Sequence, residues 1–405
     1  MKILMVNKFL YPAGGAETYM FETGRYWKRC GFEVEYFGMR HPGNVVGNRW
    51  NLYTKSLDFH PKGACGYLIN PVKLIYSVEA KKKMEELLIR FHPDVVHLNN
   101  FNYQLTPSVL EAAAEYREST KPDLRVIYTA HDPQLVCPNH YLYRPDTGEV
   151  CGRCLGGNYG NCIRGRCIHG SALKSCVGTM EAVYWKRRKI YRQIDAIICP
   201  SFFIKEKLDT DLLLRGKTTV MCNFVRETLD CGKEKGEYVL YFGRYSEEKG
   251  IRLLLEAGKE LSDIPFVFAG NGPLEKLIDK YKGGNVRNAG FLKGKALDGL
   301  IRGARFTVCP SVCNENCPFS VMESIANRTP VLGAQRGGIP ELISEGKTGW
   351  LFRAGDKADL RFALRRIWDS DEPEWFAENC SNTHFASVEE YGEKLYKIYR
   401  PVSEK

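Results

Sequence analysis

Two glutamates, Glu315 and Glu323, stand with seven residues between them inside the stretch FTVCPSVCNENCPFSVMESIANRTPVLGAQ at 306–335. The apolar run Phe306–Cys309 reads as a buried strand ending at Pro310-Ser311. A loop over 312–318 follows, then a helix over Phe319–Ala326, and a second apolar run opens at Pro330. A strand, loop and helix in that order present backbone N–H groups and a positive dipole end at the helix start, here Phe319-Ser320, which suits a phosphate. A carboxylate about one turn further in, Glu323, can accept hydrogen bonds from sugar hydroxyls. The unit therefore has the chemistry to hold an anionic, hydroxyl-rich ligand.

Three further groupings fit such a ligand. The apolar run 238–242 ends in GRYSEEKG, so Arg244 and Lys249 emerge from a strand end as a planar fork and a point charge, a suitable clamp on a pyrophosphate. Gly14-Gly15-Ala16-Glu17 follows the first apolar run and opens a helix, where small residues let a ligand approach the backbone. Thr129-Ala130-His131-Asp132 closes another run and places His131 at a strand's C-terminal end, while His97 reads as mainly structural.

The elements that must position these residues alternate regularly. Short apolar strands are expected at 2–7, 33–37, 94–98, 125–129 and 196–199, with helices at 16–29, 73–90 and 108–118 between them. A second series begins at Tyr238 with YVLYFGR, PFVFAG, VRNAGF, FTVCPS, PVLGAQ and GWLF. Strands alternating with helices predict parallel, doubly wound α/β sheets with ligands at the strands' C-terminal ends. The polar stretch 226–237 reads as a linker between two such domains. With 405 residues and 44% hydrophobic content, two or three ordinary cores can form.

No apolar run reaches the roughly 18–20 residues of a membrane span, and the N-terminus, MKILMVNKFLYPAGG, does not read as a signal peptide. The expectation is a cytoplasmic protein, peripheral on the inner face of the plasma membrane. In that compartment the 15 cysteines are buried hydrophobes or, where clustered, metal ligands. Of the net charge of +10, much comes from 144–192, where ten Lys/Arg face only Asp146, Glu149 and Glu181, which points to an acidic partner.

The spacing Glu315-x7-Glu323, after Pro310-Ser311 and before Thr329-Pro330-Val331, resembles the signature of the retaining nucleotide-sugar glycosyltransferases of family 4. Gly14-Gly15, His131, Gly243-Arg244 with Lys249-Gly250, Gly270-Asn271-Gly272-Pro273, Gly290-Phe291 and Gly337-Gly338-Ile339-Pro340-Glu341 fall in the family's order over nearly the whole chain. The resemblance implies a GT-B fold: two Rossmann-like domains, 1–225 for the acceptor and 226–375 for the donor nucleotide, with the ligand in the cleft between them. A C-terminal helix, 376–405, would cross back to the first domain. It implies a catalytic set of Glu315, His131, Arg244 and Lys249. Donor binding would fall to Gly14, Gly15, Glu323, Phe319, Ser320, Gly270 and Phe291. The donor would be a nucleotide-diphosphate sugar of UDP or GDP type, and the acceptor a glycan or polyprenyl-linked molecule in cell-surface polysaccharide assembly. No catalytic cofactor is expected, since Arg244, Lys249 and helix-end amides would carry the charge of a divalent metal. The carboxylate pairs Asp209-Thr210-Asp211 and Asp369-Ser370-Asp371 sit away from strand ends and read as decoys.

Two departures mark this chain. Where the family commonly has Phe-Gly after the first glutamate, Cys317-Pro318 stands here, and Pro318 has no N–H to offer a sugar. After His131 comes an insertion, about 137–176, with Cys137, Cys151-x2-Cys154, Cys162-x4-Cys167 and Cys176. Cys151, Cys154, Cys162 and Cys167 have the spacing of a structural Zn2+ site, with unligated thiols or an iron–sulfur cluster as alternatives, and a segment with so little core needs such a staple. Beyond it, Tyr184, Trp185 and Tyr191 interleave with Lys186, Arg187, Arg188, Lys189 and Arg192, a composition suited to an anionic membrane surface. No nucleic-acid partner is expected. The alternatives to a transferase are a sugar-nucleotide epimerase or hydrolase of the same fold, which needs no acceptor, and a non-enzymatic, zinc-stapled module binding nucleic acid with steep salt dependence.

Overall fold

A computed structural model describes residues 1–57, 71–144, 146–226, 235–370 and 373–400. The chain divides into two compact units, Met1–Cys222 with Val388–Lys405, and Asn223–Ser387. Each unit is built on a six-stranded parallel sheet.

In the first unit the strands are β1 (Lys2–Val6), β2 (Glu33–Phe37), β3 (Val95–Leu98), β4 (Arg125–Thr129), β5 (Ala196–Cys199) and β6 (Thr218–Val220), in the order β2-β1-β3-β4-β5-β6. The inner strands are nearly continuous apolar runs, buried from end to end, because helices cover both faces of a parallel sheet. One layer of that core joins Leu4, Val6, Val96 and Leu98 to Met84, Leu88, Val109 and Ala113 of the helices Val78–Phe91 and Ser108–Ser119. The single helix expected at 73–90 is two, Pro71–Ile75 and Val78–Phe91. Ser77 caps the second, its hydroxyl accepting the Ala80 N–H at 3.1 Å.

In the second unit the strands are β7 (Val239–Phe242), β8 (Phe266–Ala269), β9 (Val286–Gly290), β10 (Phe306–Cys309), β11 (Val331–Ala334) and β12 (Gly349–Phe352), in the order β12-β11-β10-β7-β8-β9. Its core runs from Val239, Phe268 and Val308 to Leu254, Val321, Ile325 and Leu364. The C-terminal region is not one helix. Pro373–Ser381 places Phe376 and Cys380 in buried positions, Cys380 within the second unit's core, while Val388–Tyr399 belongs to the first unit. The boundary expected at 375 therefore falls at 387, because the apolar residues on either side of it serve different cores. Most of the expected linker, 227–234, lies outside the described residues. Among the described residues no helix is long and apolar enough to cross a membrane.

Strand order fixes where a ligand can sit. Successive strands run outward from β1 to β2, and then the chain returns to place β3 on β1's other side. The same reversal places β10 beside β7. At such a reversal the flanking connections leave in opposite directions and open a crevice beyond the strands' C-terminal ends. One such point exists in each unit.

Candidate active site

The reversal in the second unit brings together residues far apart in sequence. Lys249 follows β7 and Glu315 follows β10, and the Lys249 Nζ stands 2.5 Å from the Glu315 Oε1. The Ser311 hydroxyl donates to the same carboxylate oxygen at 2.9 Å. Burial alone would lower the Lys249 ammonium's pKa, but the Glu315 charge and hydrogen bond outweigh it and hold the pKa above the ordinary lysine range. Glu315 is therefore oriented by two donors on one carboxylate oxygen.

Two glycines let the loops meet. Gly250 has φ +73°, and a Cβ there would lie 1.9 Å from the Pro310 carbonyl oxygen. Gly337 has φ +60°, and a Cβ there would lie 2.1 Å from the Glu315 carbonyl oxygen, which accepts the Gly338 N–H at 2.7 Å. Both positions demand glycine for backbone conformation and for space. The Gly337-Gly338 loop thus holds the Glu315 loop from behind.

Glu323 lies on the helix Phe319–Ala326, whose N-cap Pro318 contributes no side-chain cap to the first turn. Burial pushes the Glu323 carboxyl up to about 7; Arg226 opposes the shift and Asp298 adds to it. Arg226 stands 3.5 Å from Glu323 and 3.1 Å from Asp298. Arg226 had been read as linker, and no local sequence feature joins it to Glu323. Arg244 is exposed and makes no ion pair among the described residues; its carbonyl accepts the Tyr241 hydroxyl at 2.7 Å. Phe319 and Ser320 form the helix's first turn, with the Phe319 ring against Phe224 at 6.0 Å. Gly270 sits at the end of β8, its N–H on the Gly290 carbonyl at 2.8 Å, and Phe291 beyond Gly290 is exposed. Cys317 is buried, and its carbonyl accepts the Asn223 amide at 3.1 Å.

In the first unit, Gly14 and Gly15 are exposed at the start of the helix Gly15–Arg29. Gly14 is extended, and the nearest atom to a Cβ there is a Glu17 carboxylate oxygen at an ordinary 3.6 Å, so nothing in the chain itself requires glycine. Below this loop, the buried Asn7 donates to Glu17 at 2.9 Å and accepts the Asn100 N–H at 2.9 Å, tying the ends of β1 and β3 together at the reversal. His131 extends from β4, with Nε2 2.8 Å from the Asn99 Oδ1 and the Tyr19 ring edge-on at 4.9 Å. Burial lowers its pKa to about 3, so the ring is neutral near pH 7. Its neighbour Asp132 is raised to about 6 by burial, against the pull of Lys8. Asp132, Asn7, Asn99 and Ser311 were not singled out as site residues from the sequence; the dipeptides His131-Asp132 and Pro310-Ser311 at strand ends were the available signal for two of them. His97 is fully buried between the Thr129 and Tyr399 hydroxyls, at 2.8 and 2.5 Å, which gives it a structural place.

The carboxylates set aside as decoys are occupied. Asp209 pairs with Lys205 and accepts the Thr218 hydroxyl at 2.6 Å, and Asp211 pairs with Lys186 at 2.9 Å. Asp371 lies outside the described residues. The basic stretch is also partly spoken for, with Lys186 on Asp211 and Arg188 on Glu111. Trp185 and Tyr191 are core residues, so they are not available as interfacial anchors; the helix Ala172–Arg187 and the turn after it turn both rings inward, leaving Arg187 and Lys189 exposed.

Each unit's architecture matches solved structures of the GT-B class along nearly the full chain. Sucrose-phosphate synthase from Thermosynechococcus elongatus aligns over 98% of both chains with a TM-score of 0.67 at 16% identity. An Anabaena protein solved in complex with UDP and glucose aligns over 98% of this chain and 99% of its own, with a TM-score of 0.65 at 14% identity. The model of glycosyltransferase family 4 matches residues 13–228, more than half of the chain, and that of the glycosyl transferases group 1 matches 231–382. The chain belongs to glycosyltransferase family 4. Curated relatives include the sulfoquinovosyl transferase of Arabidopsis thaliana, 32% identical over 35% of this chain and 29% of its own length. The alpha-D-kanosaminyltransferase of Streptomyces kanamyceticus is 31% identical over 42% of this chain and 47% of its own. The matches span less than half the length of these relatives.

Proposed function

We propose that this chain is a retaining glycosyltransferase that needs no catalytic metal. It would move a sugar from a nucleotide-diphosphate donor, of UDP or GDP type, to a glycan or polyprenyl-linked acceptor in cell-surface polysaccharide assembly. The observation that carries the reading is the Lys249–Glu315 pair across the β7/β10 reversal, flanked by Arg244 and Glu323. Glu323, when ionised, accepts the ribose hydroxyls. Glu315 accepts sugar ring hydroxyls, while Lys249 and Arg244 take up the charge that builds on the departing diphosphate. Phe319, Ser320, Gly270 and Phe291 complete the second unit's donor contacts, and the first unit's own candidates for ligand contact are Gly14, Gly15 and neutral His131.

The acceptor oxygen forms its bond to the anomeric carbon on the face from which the diphosphate leaves. The anomeric carbon–phosphate oxygen bond breaks, and the acceptor proton passes to that phosphate oxygen, so no protein base is assigned. UDP is the first nucleotide to try, given the Anabaena structure of the same fold. On this reading the chain works in the cytoplasm, with exposed Arg187 and Lys189, beside the ion-paired Lys186 and Arg188, meeting an anionic inner membrane face that carries the acceptor. Salt-sensitive binding to anionic liposomes, lost in an Arg187→Ala/Lys189→Ala variant, tests that placement; binding unchanged by salt and by the substitutions would refute it.

The stereochemical claim is tested by NMR of the glycosylated product. The anomeric configuration of the donor should be kept, whereas inversion, or turnover of the donor at the same rate with no acceptor present, would overturn the reading.

A further inference from the structure

Five thiols of the first unit line one small cavity: Cys137, Cys151, Cys154, Cys162 and Cys167, with Asn139 and Tyr143 beside them. All five are free cysteines. The cavity measures about 10 Å³, room for roughly a single atom and not for a multi-iron cluster. The segment around it has little else to hold it. Its own apolar cluster consists of Cys154, Tyr159 and Cys162, with a few half-buried neighbours, and its secondary structure is a three-residue turn, Leu155–Gly157, and the short helix Gly160–Arg164. A core of that size does not order a segment without a cross-link or a metal.

The thiols are not equivalent. Cys154 and Cys162 are buried together, and the Cys162 N–H donates to the Tyr159 carbonyl at 2.9 Å. The Cys167 N–H donates to the Cys162 carbonyl at 3.1 Å, which holds the two cysteines on one tight turn. The Arg153 guanidinium hydrogen-bonds Cys151 and lies close to Cys167. Cys137 faces the other way chemically: its S–H donates to the Asn139 Oδ1 at 2.8 Å, an oxygen that also accepts the Tyr141 N–H at 3.0 Å. The Asn139 Nδ2 donates to the Tyr143 carbonyl at 2.7 Å, which fixes the amide's orientation. The Cys137 sulfur is thus already engaged by Asn139, which sets it apart from the other four. Among the described residues no three His, Cys, Asp or Glu side chains already stand at ligating distance. Convergence of the four sulfurs on one ion therefore requires side-chain rotation.

We propose that Cys151, Cys154, Cys162 and Cys167 bind one zinc ion as a tetrahedral tetrathiolate, with Arg153 beside it and Cys137, held by Asn139, outside the coordination. Binding releases four thiol protons, and the resulting centre carries two net negative charges, which Arg153 partly offsets. Four thiolates leave no open position, so the ion is structural and fixes the segment that follows His131. The site is independent of the donor chemistry proposed above.

The test is the metal content and coordination of the full-length protein purified under reducing conditions from zinc-supplemented cells. One equivalent of zinc is expected, with X-ray absorption showing four sulfur scatterers at about 2.3 Å and no nitrogen or oxygen. Cys137→Ser should keep the metal, and Cys154→Ser should lose it. Should Cys154→Ser fail to fold, cobalt exchange into the unmodified protein reports the same point through intense thiolate-to-cobalt charge-transfer absorption. Substoichiometric zinc, bound iron, a shell containing nitrogen or oxygen, or metal lost in Cys137→Ser would each overturn the assignment.

Discussion

Gly337→Ala isolates the mechanical support of Glu315. At φ +60° an alanine carries the left-handed penalty of about 1–2 kcal/mol. Its Cβ would also stand 2.1 Å from the Glu315 carbonyl oxygen and 2.8 Å from the Glu315 nitrogen, backbone atoms with no rotamer to yield. Forced displacement of that kind adds about 1–3 kcal/mol. Gly346 is a built-in control, since it has a similar φ of +72° with nothing within 4 Å of a Cβ. Gly346→Ala should therefore show the backbone penalty alone.

In thermal unfolding, each kcal/mol corresponds to about 2–4 °C for a unit of this size, so Gly337→Ala should fall further than Gly346→Ala by about 2–12 °C. The displaced loop also moves Glu315 and strains its bond to Lys249. Since about 1 Å of misplacement can cost 10²-fold in rate, kcat should drop by about that factor while nucleotide affinity, which rests on Glu323, is kept. Equal melting shifts and near-normal turnover in both glycine variants would refute the argument that Gly337 holds Glu315.

Three further outcomes follow from the geometry. Because the folded pKa of Glu323 is raised to about 7, the folded state holds a proton that the unfolded state has released above about pH 4.5. Stability should thus decline as pH rises through that window, and nucleotide affinity should rise as Glu323 ionises; Glu323→Gln should flatten both profiles, and unchanged profiles in calorimetry would contradict the assignment. Arg244→Ala should lower kcat by about 10²-fold with a much smaller change in KM, because its contact strengthens as charge develops; a change confined to KM would make Arg244 a simple binding group. His131→Asn should leave the rate's pH dependence unaltered between pH 5 and 8, since the buried ring is already neutral there; loss of a limb near pH 6 to 7 would show that His131 titrates in turnover.

Much of the architecture was legible because a parallel sheet writes itself as short apolar runs. Phe306–Cys309 and Val331–Ala334 are buried along their whole length, so no alternation confuses them. β6 was missed because Thr218-Thr219-Val220 is an edge strand with no fully buried residue. The break at Ser77 was missed because the apolar pattern continues through it, although a serine cap ends one helix and begins another. At the site, the residue types announced themselves and their contacts did not. Glu315 and Lys249 are 66 residues apart, and only the β7/β10 reversal makes them neighbours. Arg226 looked like linker because its partners, Asp298 and Glu323, are supplied by folding. Trp185 and Tyr191 looked like membrane anchors because composition does not reveal which way a ring turns.

The central claim is that the residues at the β7/β10 reversal hold a nucleoside diphosphate, and the most direct measurement is a thermal-shift titration of the purified chain with UDP, GDP, ADP, TDP and their sugars. The account predicts a saturable rise in Tm with one nucleotide series, abolished in Glu323→Ala and, for the free diphosphate whose charge Arg244 meets, reduced in Arg244→Ala. A shift that survives both substitutions, or none with any of the nucleotides, would contradict it.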